Sequence, residues 1–143
     1  MGEFIPFVEL CGESAEIETR EILVSASLRQ DAVPTGTYAL LESYCADTDC
    51  DCRKVMISMI SKESQKMLAT IGYGWENEQF YIDWMSGDEE MGRKLTGAYL
   101  EPGGKQSHYA RACLQLFQQI VANEPSLVDS MKRHYKIFRQ RLR

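Results

Sequence analysis

Three of the five cysteines, Cys45, Cys50 and Cys52, fall within eight residues. They occupy the stretch Tyr44-Cys45-Ala46-Asp47-Thr48-Asp49-Cys50-Asp51-Cys52-Arg53-Lys54. Thiolates are soft ligands, suited to zinc, copper(I) or iron–sulfur centres. Cys50-x-Cys52 puts two sulfurs on one tight turn, and Cys45 can add a third from the incoming strand. The spacing C-x4-C-x-C differs from the usual zinc-finger spacings. A structural zinc site closes with four ligands, whereas three protein ligands leave an open position. Candidates for a fourth are His134, Cys11, Cys113, His108 and one of Asp47, Asp49 and Asp51. The aspartates read better as turn residues or outer hydrogen-bond acceptors. Cys113 sits on an apolar helix stripe and reads as a buried thiol. His134 reads either as a ligand or as a hydrogen-bonded core histidine. The plain alternative for the whole stretch is a turn carrying three free thiols.

Other chemistries find less support. Arg53 and Lys54 would lower a neighbouring thiol pKa, but three flanking aspartates oppose them, so a thiol redox centre is a second reading. A bond between Cys50 and Cys52 would close a very small ring, and an odd cysteine count argues against a disulfide framework. There is no G-x-S-x-G elbow, and Gly103-Gly104 lacks the following K-[ST] of a phosphate loop. A metal-dependent hydrolase stays open only through a three-ligand zinc. Residues 132–143 hold six bases and no acid, while residues 1–18 hold five acids and no base, around a net charge of −5. The basic end reads as a solvated helix terminus complementing the helix dipole. Nucleic-acid binding through it is the functional alternative.

The bulk numbers fit one soluble domain over 1–143: 143 residues, 44% hydrophobic, 26% charged. No apolar run approaches the roughly 18 residues of a membrane span. The first residues lack the layout of a secretory signal, which predicts a cytoplasmic protein.

The elements that must position the cysteines are strands first and helices last. Residues 1–18 form a poorly defined segment in which Pro6 interrupts any regular element. A strand is expected over 19–28, then a connection from Gln30 to Gly36. Thr37–Tyr44 and Lys54–Ile60 read as strong strands flanking the cysteine stretch, with Met67–Trp75 third. Gly72 and Gly74 leave bare backbone on one side of it, read as a bulge or close helix packing rather than ligand contact. Glu76-Asn77-Glu78 reads as a hairpin turn into a fourth strand, Gln79–Met85. From Ser86 the period changes to that of a helix, expected to about Ala98 despite Gly92 and Gly97. Ser107 can cap a helix to about Ala122 along Tyr109, Ala112, Cys113, Leu116, Phe117 and Ile120. Ser126-x-x-Asp129 resembles a capping box opening a last helix to about Arg141. The expected fold is α+β: 19–85 mainly β, 86–143 mainly α, with an antiparallel sheet of four to five strands followed by two to three C-terminal helices packed on it.

The segment Gly36–Cys45, followed by Cys50-Asp51-Cys52-Arg53-Lys54-Val55, resembles a group of uncharacterised bacterial proteins carrying a YC-x4-CDCR cluster. Some of these occur with the small cysteine/histidine zinc motif of the preprotein translocase ATPase. Gln106-Ser107-His108-Tyr109-Ala110 and Lys132-Arg133-His134-Tyr135 also resemble that group, so the likeness covers roughly residues 19–140. Lys54 departs from it, standing where a second arginine is expected. The resemblance implies a metal-binding knuckle at Cys45, Cys50 and Cys52 and no particular reaction. The expectation is therefore a zinc-binding structural site in a domain used for interaction or regulation, with a protein partner and no membrane.

Overall fold

A computed structural model of the chain describes residues 3–12, 19–25 and 33–142. Its order is β1 (Phe4–Pro6), α1 (Phe7–Cys11), β2 (Arg20–Val24), β3 (Gly36–Cys45), β4 (Lys54–Ser61), β5 (Met67–Gly74), α2 (Glu78–Trp84), α3 (Glu89–Leu95), β6 (Gly97–Leu100), α4 (Ala110–Asn123) and α5 (Pro125–Arg141). The fold is α+β. The strands form one antiparallel sheet in the order β1-β3-β4-β5-β6, and β2 shares with β1 the outer edge of β3. β1 pairs with the C-terminal end of β3, Phe4 opposite Cys45, and β2 with its N-terminal half.

The pairing register decides the two faces. Leu40 lies opposite Met59 and Glu42 opposite Ile57; Ile57 in turn lies opposite Ile71, and Ile71 opposite Leu100. Successive side chains alternate across a sheet, so this face also carries Tyr38 and Tyr44. It is covered by α1, α4 and α5, whose Phe7, Cys11, Cys113, Phe117, Met131, Tyr135 and Phe138 complete the main core. The opposite face carries Ser43, Cys45, Lys54, Met56, Gly72 and Tyr99, and one end of it lies against α2 and α3.

Within the segment expected to be poorly defined, residues 3–12 hold two short regular elements, β1 and α1, with Pro6 at their junction. The strand expected over 19–28 is observed at Arg20–Val24; residues 26–28 and 30–32 lie outside the described residues. α4 begins at Ala110, because Ser107 is held to the sheet by its hydroxyl, which donates to the Leu68 carbonyl at 2.7 Å. α5 opens on Pro125 at its first turn with no side-chain cap, so the expected capping box does not form.

Two expectations are corrected. The expected strand Gln79–Met85 is helix α2. Its Phe80/Ile82/Trp84 alternation is apolar enough for a strand, but Asn77 is a helix cap: its Oδ1 accepts from the Phe80 amide at 2.9 Å. Tyr81 and Ile82 are the buried residues of the helix, and the alternating Phe80 and Trp84 are only partly buried. The helix expected to Ala98 stops at Leu95, and Gly97, at φ +73°, turns the chain into β6 beside β5. Asp88 does cap α3, accepting from the Met91 amide at 3.1 Å.

Gly92 is where α3 meets α2. A Cβ there would lie 2.5 Å from the Ile82 amide nitrogen and 2.6 Å from its Cα. Alanine improves helix propensity by at most about 1 kcal/mol. The clash is with backbone that cannot rotate away, so Gly92→Ala should be net destabilising by about 2 kcal/mol in urea unfolding.

Candidate metal centre

Cys45 ends β3, and Cys50 and Cys52 sit in the loop that returns to β4. The three thiols are buried, and their sulfurs all lie within 4.8 Å of one another. They form a small cluster apart from the main core, closed by Phe4 and Trp84. Sulfurs around a tetrahedral zinc, with bonds of about 2.3 Å, stand about 3.8 Å apart. The observed upper limit of 4.8 Å is compatible with that span, so the three thiols could hold a metal ion.

The loop is fixed from three sides. The Asp47 carboxylate accepts from the Asp49 amide at 2.9 Å, and the Asp47 carbonyl accepts from the Cys50 amide at 3.1 Å, making a tight turn. From the residue before β1, the Glu3 carbonyl accepts from the Ala46 amide at 2.8 Å. From α5, Arg139 donates to the carbonyl of Cys50 and, at 3.2 Å, to that of Thr48. One helical turn earlier, the Tyr135 hydroxyl donates to Asp51 at 2.8 Å and accepts from the Arg53 amide at 3.3 Å. From α2, the Tyr81 hydroxyl donates to the Arg53 carbonyl at 2.6 Å. Arg53, at the end of this loop, has φ +49°, and these contacts hold it there.

The aspartates play the part expected of turn residues and outer acceptors. Burial alone would raise the Asp51 carboxyl, but hydrogen bonds from Arg53 and Tyr135, with the charges of Arg53 and Arg139, outweigh it and hold the group below its ordinary value. The Arg53 guanidinium is spread over Asp51 at 3.0 Å and Glu76 at 3.3 Å and stacks on Phe80, so it is not directed at the sulfurs. Burial pushes the Cys52 thiol up to about 12, reinforced by Cys50 and Cys45. Burial and Cys45 raise Cys50 as well. Thiols shifted this way are poor nucleophiles, which speaks against an activated redox cysteine.

The candidates for a fourth ligand lie elsewhere. Cys11 and Cys113 belong to the main core on the other face of the sheet, and burial pushes Cys113 up to about 11. His108 is exposed just before α4, its ring tilted against that of Tyr109. His134 is also on the helix-covered face. Its Nδ1 hydrogen-bonds the Glu42 carboxylate at 2.8 Å, and its ring stacks on Phe7 at 4.5 Å between centroids. Glu42 takes a second hydrogen bond from the Tyr44 hydroxyl at 2.6 Å. Its neighbours make His134 the hydrogen-bonded core histidine of the two readings. Among the described residues, no further histidine, cysteine or carboxylate joins the three sulfurs.

Reading the sequence alone missed Tyr81, Tyr135 and Arg139. The signal for the last two was present: they lie four residues apart on one face of α5. Tyr135 reads as core and Arg139 as a solvated cation until the loop is seen beneath them. Groups that orient a metal's ligands commonly carry 10- to 100-fold in affinity, roughly. Tyr135→Phe removes both of its loop hydrogen bonds and keeps the ring. It should weaken metal binding by about that factor in a chelator competition while the unfolding midpoint of the metal-free protein changes little.

No protein-family model, curated protein or solved structure matches the chain. No helix among the described residues is long and apolar enough to cross a membrane.

Proposed function

We propose that Cys45, Cys50 and Cys52 bind zinc as a structural brace, in a domain that serves interaction or regulation rather than catalysis. The observation that carries this reading is the buried convergence of the three sulfurs on one loop held by Arg139, Tyr135 and Tyr81. A buried ion there would tie the end of β3 to the start of β4. Phe4 and Trp84 pack against the three cysteines, which favours a braced loop; with three protein ligands, the fourth position on the ion is left to a non-protein ligand. Zinc is preferred because it accepts thiolates in a tetrahedral set without redox chemistry.

Metal analysis of untagged protein tests the reading, with about one equivalent of zinc per chain expected. Protein purified free of transition metal, and taking up none when zinc is added, would overturn it. The pH dependence follows from the thiols. Cys50 and Cys52 are raised and hold their protons at neutral pH in the metal-free protein. Binding must expel these protons, so apparent affinity should rise with pH, by about tenfold per unit for each proton released.

A further inference from the structure

Where α5 passes the cysteine loop, an open cleft of about 510 Å³ lies between the helix, the loop and the residues that follow β5. Lys132, Lys136 and Arg139 line it from α5, and Asp51 and Arg53 from the loop. Trp75 and Glu76 close the far side. Its charged groups reach solvent. The side chains of Asp51, Arg53 and Glu76 are 51%, 40% and 35% exposed, and Lys132 and Lys136 are exposed.

Four of these charges serve the protein itself. Arg53 is shared between Asp51 and Glu76, and Arg139 is turned onto the carbonyls of Thr48 and Cys50. The two lysines are not used in this way. Among the described residues, no hydrogen bond, ion pair or ring contact engages Lys132 or Lys136. They stand four positions apart on one face of α5, about 6 Å along its axis. The cleft as a whole sets four cations against two carboxylates, in a chain whose net charge is −5. The excess positive charge is therefore local, and it resides on the two lysines. Between the charges, the Trp75 ring packs edge-on to Tyr135 at 5.1 Å and, only partly buried, gives the cleft an apolar surface.

We infer that this cleft docks an acidic segment of a partner protein, with two carboxylates two residues apart and an aromatic residue beside them. In an extended peptide, side chains two positions apart lie on one side, about 7 Å from each other, which matches the spacing of the lysines. Each carboxylate takes one ammonium, and the aromatic ring packs on Trp75. A nucleic-acid strand fits less well. Its phosphates would run past Asp51 and Glu76 and on over an acidic protein, with two free cations to hold them. A peptide carries its charges at chosen positions and meets the rest of that surface with neutral residues. The inference rests on the interaction role proposed above, to which it gives a partner chemistry; it does not rest on the zinc.

Calorimetric titration of the full chain with the capped peptide Gly-Ser-Glu-Phe-Glu-Ser-Gly is the test. Saturable binding is expected, weakening as salt is raised. The counterpart with glutamine for both glutamates should bind at least about tenfold more weakly. Lys132→Ala with Lys136→Ala should also cost at least about tenfold, and should leave the unfolding midpoint in place because neither side chain holds the fold. Arg133→Ala removes a cation of the same helix that does not line the cleft, and should change affinity by less than about twofold. The inference is overturned if the glutamate peptide does not bind saturably, if its glutamine counterpart binds as well, or if Arg133→Ala costs as much as the lysine pair. Tighter binding of a short oligothymidylate than of the peptide overturns it too. Zinc content is measured on the same preparations. Metal-replete protein that fails to bind the peptide sinks this inference alone, and metal-free protein that binds it sinks only the brace.

Discussion

Cys52→Ser should abolish zinc binding and make the protein's stability indifferent to chelator. Structural zinc in small peptides supplies on the order of 10 kcal/mol of folding free energy. This chain is long enough to bury a core of its own, so the loss should be smaller, about 3–5 kcal/mol at saturating metal. The sign of the competing effect is the same and its size smaller. Cys52 is fully buried, and a serine hydroxyl in its place costs about 1–3 kcal/mol if left unpaired. Urea unfolding with and without chelator separates the two. The wild type should lose stability on chelation, and the variant should not. If chelator leaves the wild type unchanged while Cys52→Ser still destabilises, the cysteine is core and the zinc reading fails.

A second large effect is expected on the opposite face. Glu42 is 8% exposed and His134 1% exposed, and the Tyr44 hydroxyl donates to the same carboxylate oxygen. Glu42→Ala strips the partner from His134 Nδ1. Its Nε2 already lacks one, so the imidazole would be buried with neither nitrogen bonded. Tyr44 keeps a weaker acceptor, the Met131 carbonyl at 3.1 Å. Removing one member of a buried polar pair costs about 3–5 kcal/mol, and urea unfolding should show a loss in that range. Removing both is a different matter. Glu42→Leu with His134→Phe replaces the pair by apolar groups beside Phe7 and should recover most of the loss. A double-mutant cycle that shows no coupling would mean the pair is not what holds α5 to the sheet.

The local grammar of the chain was legible. Alternation placed β3, β4 and β5, and the apolar stripes placed α4 and α5, because burial on one face imposes those periods directly on the sequence. The cysteine loop was legible for the same reason: a turn between two strands holds its three thiols close in space whatever else the chain does. The errors came where local signals compete. Phe80, Ile82 and Trp84 alternate like a strand, and the competing local signal was the Asn77 cap, which opens α2 as a helix. Gly97 weakened the expected helix without showing that a strand would replace its end, since β6 exists only through β5.

The sequence by itself determined that three thiols converge and that strands bracket them. The tertiary structure decided what they face. Strand alternation puts Cys45 on one side of the sheet and Glu42 and Tyr44 on the other, but nothing local says which side the helices cover. Long-range packing of α5 sent His134 to Glu42, away from the sulfurs, and brought Tyr135 and Arg139 onto the cysteine loop. The same packing buried Lys54 beside Glu101, 47 positions away in sequence. Contacts across such separations depend on loop closures and face assignments that no short window of residues encodes.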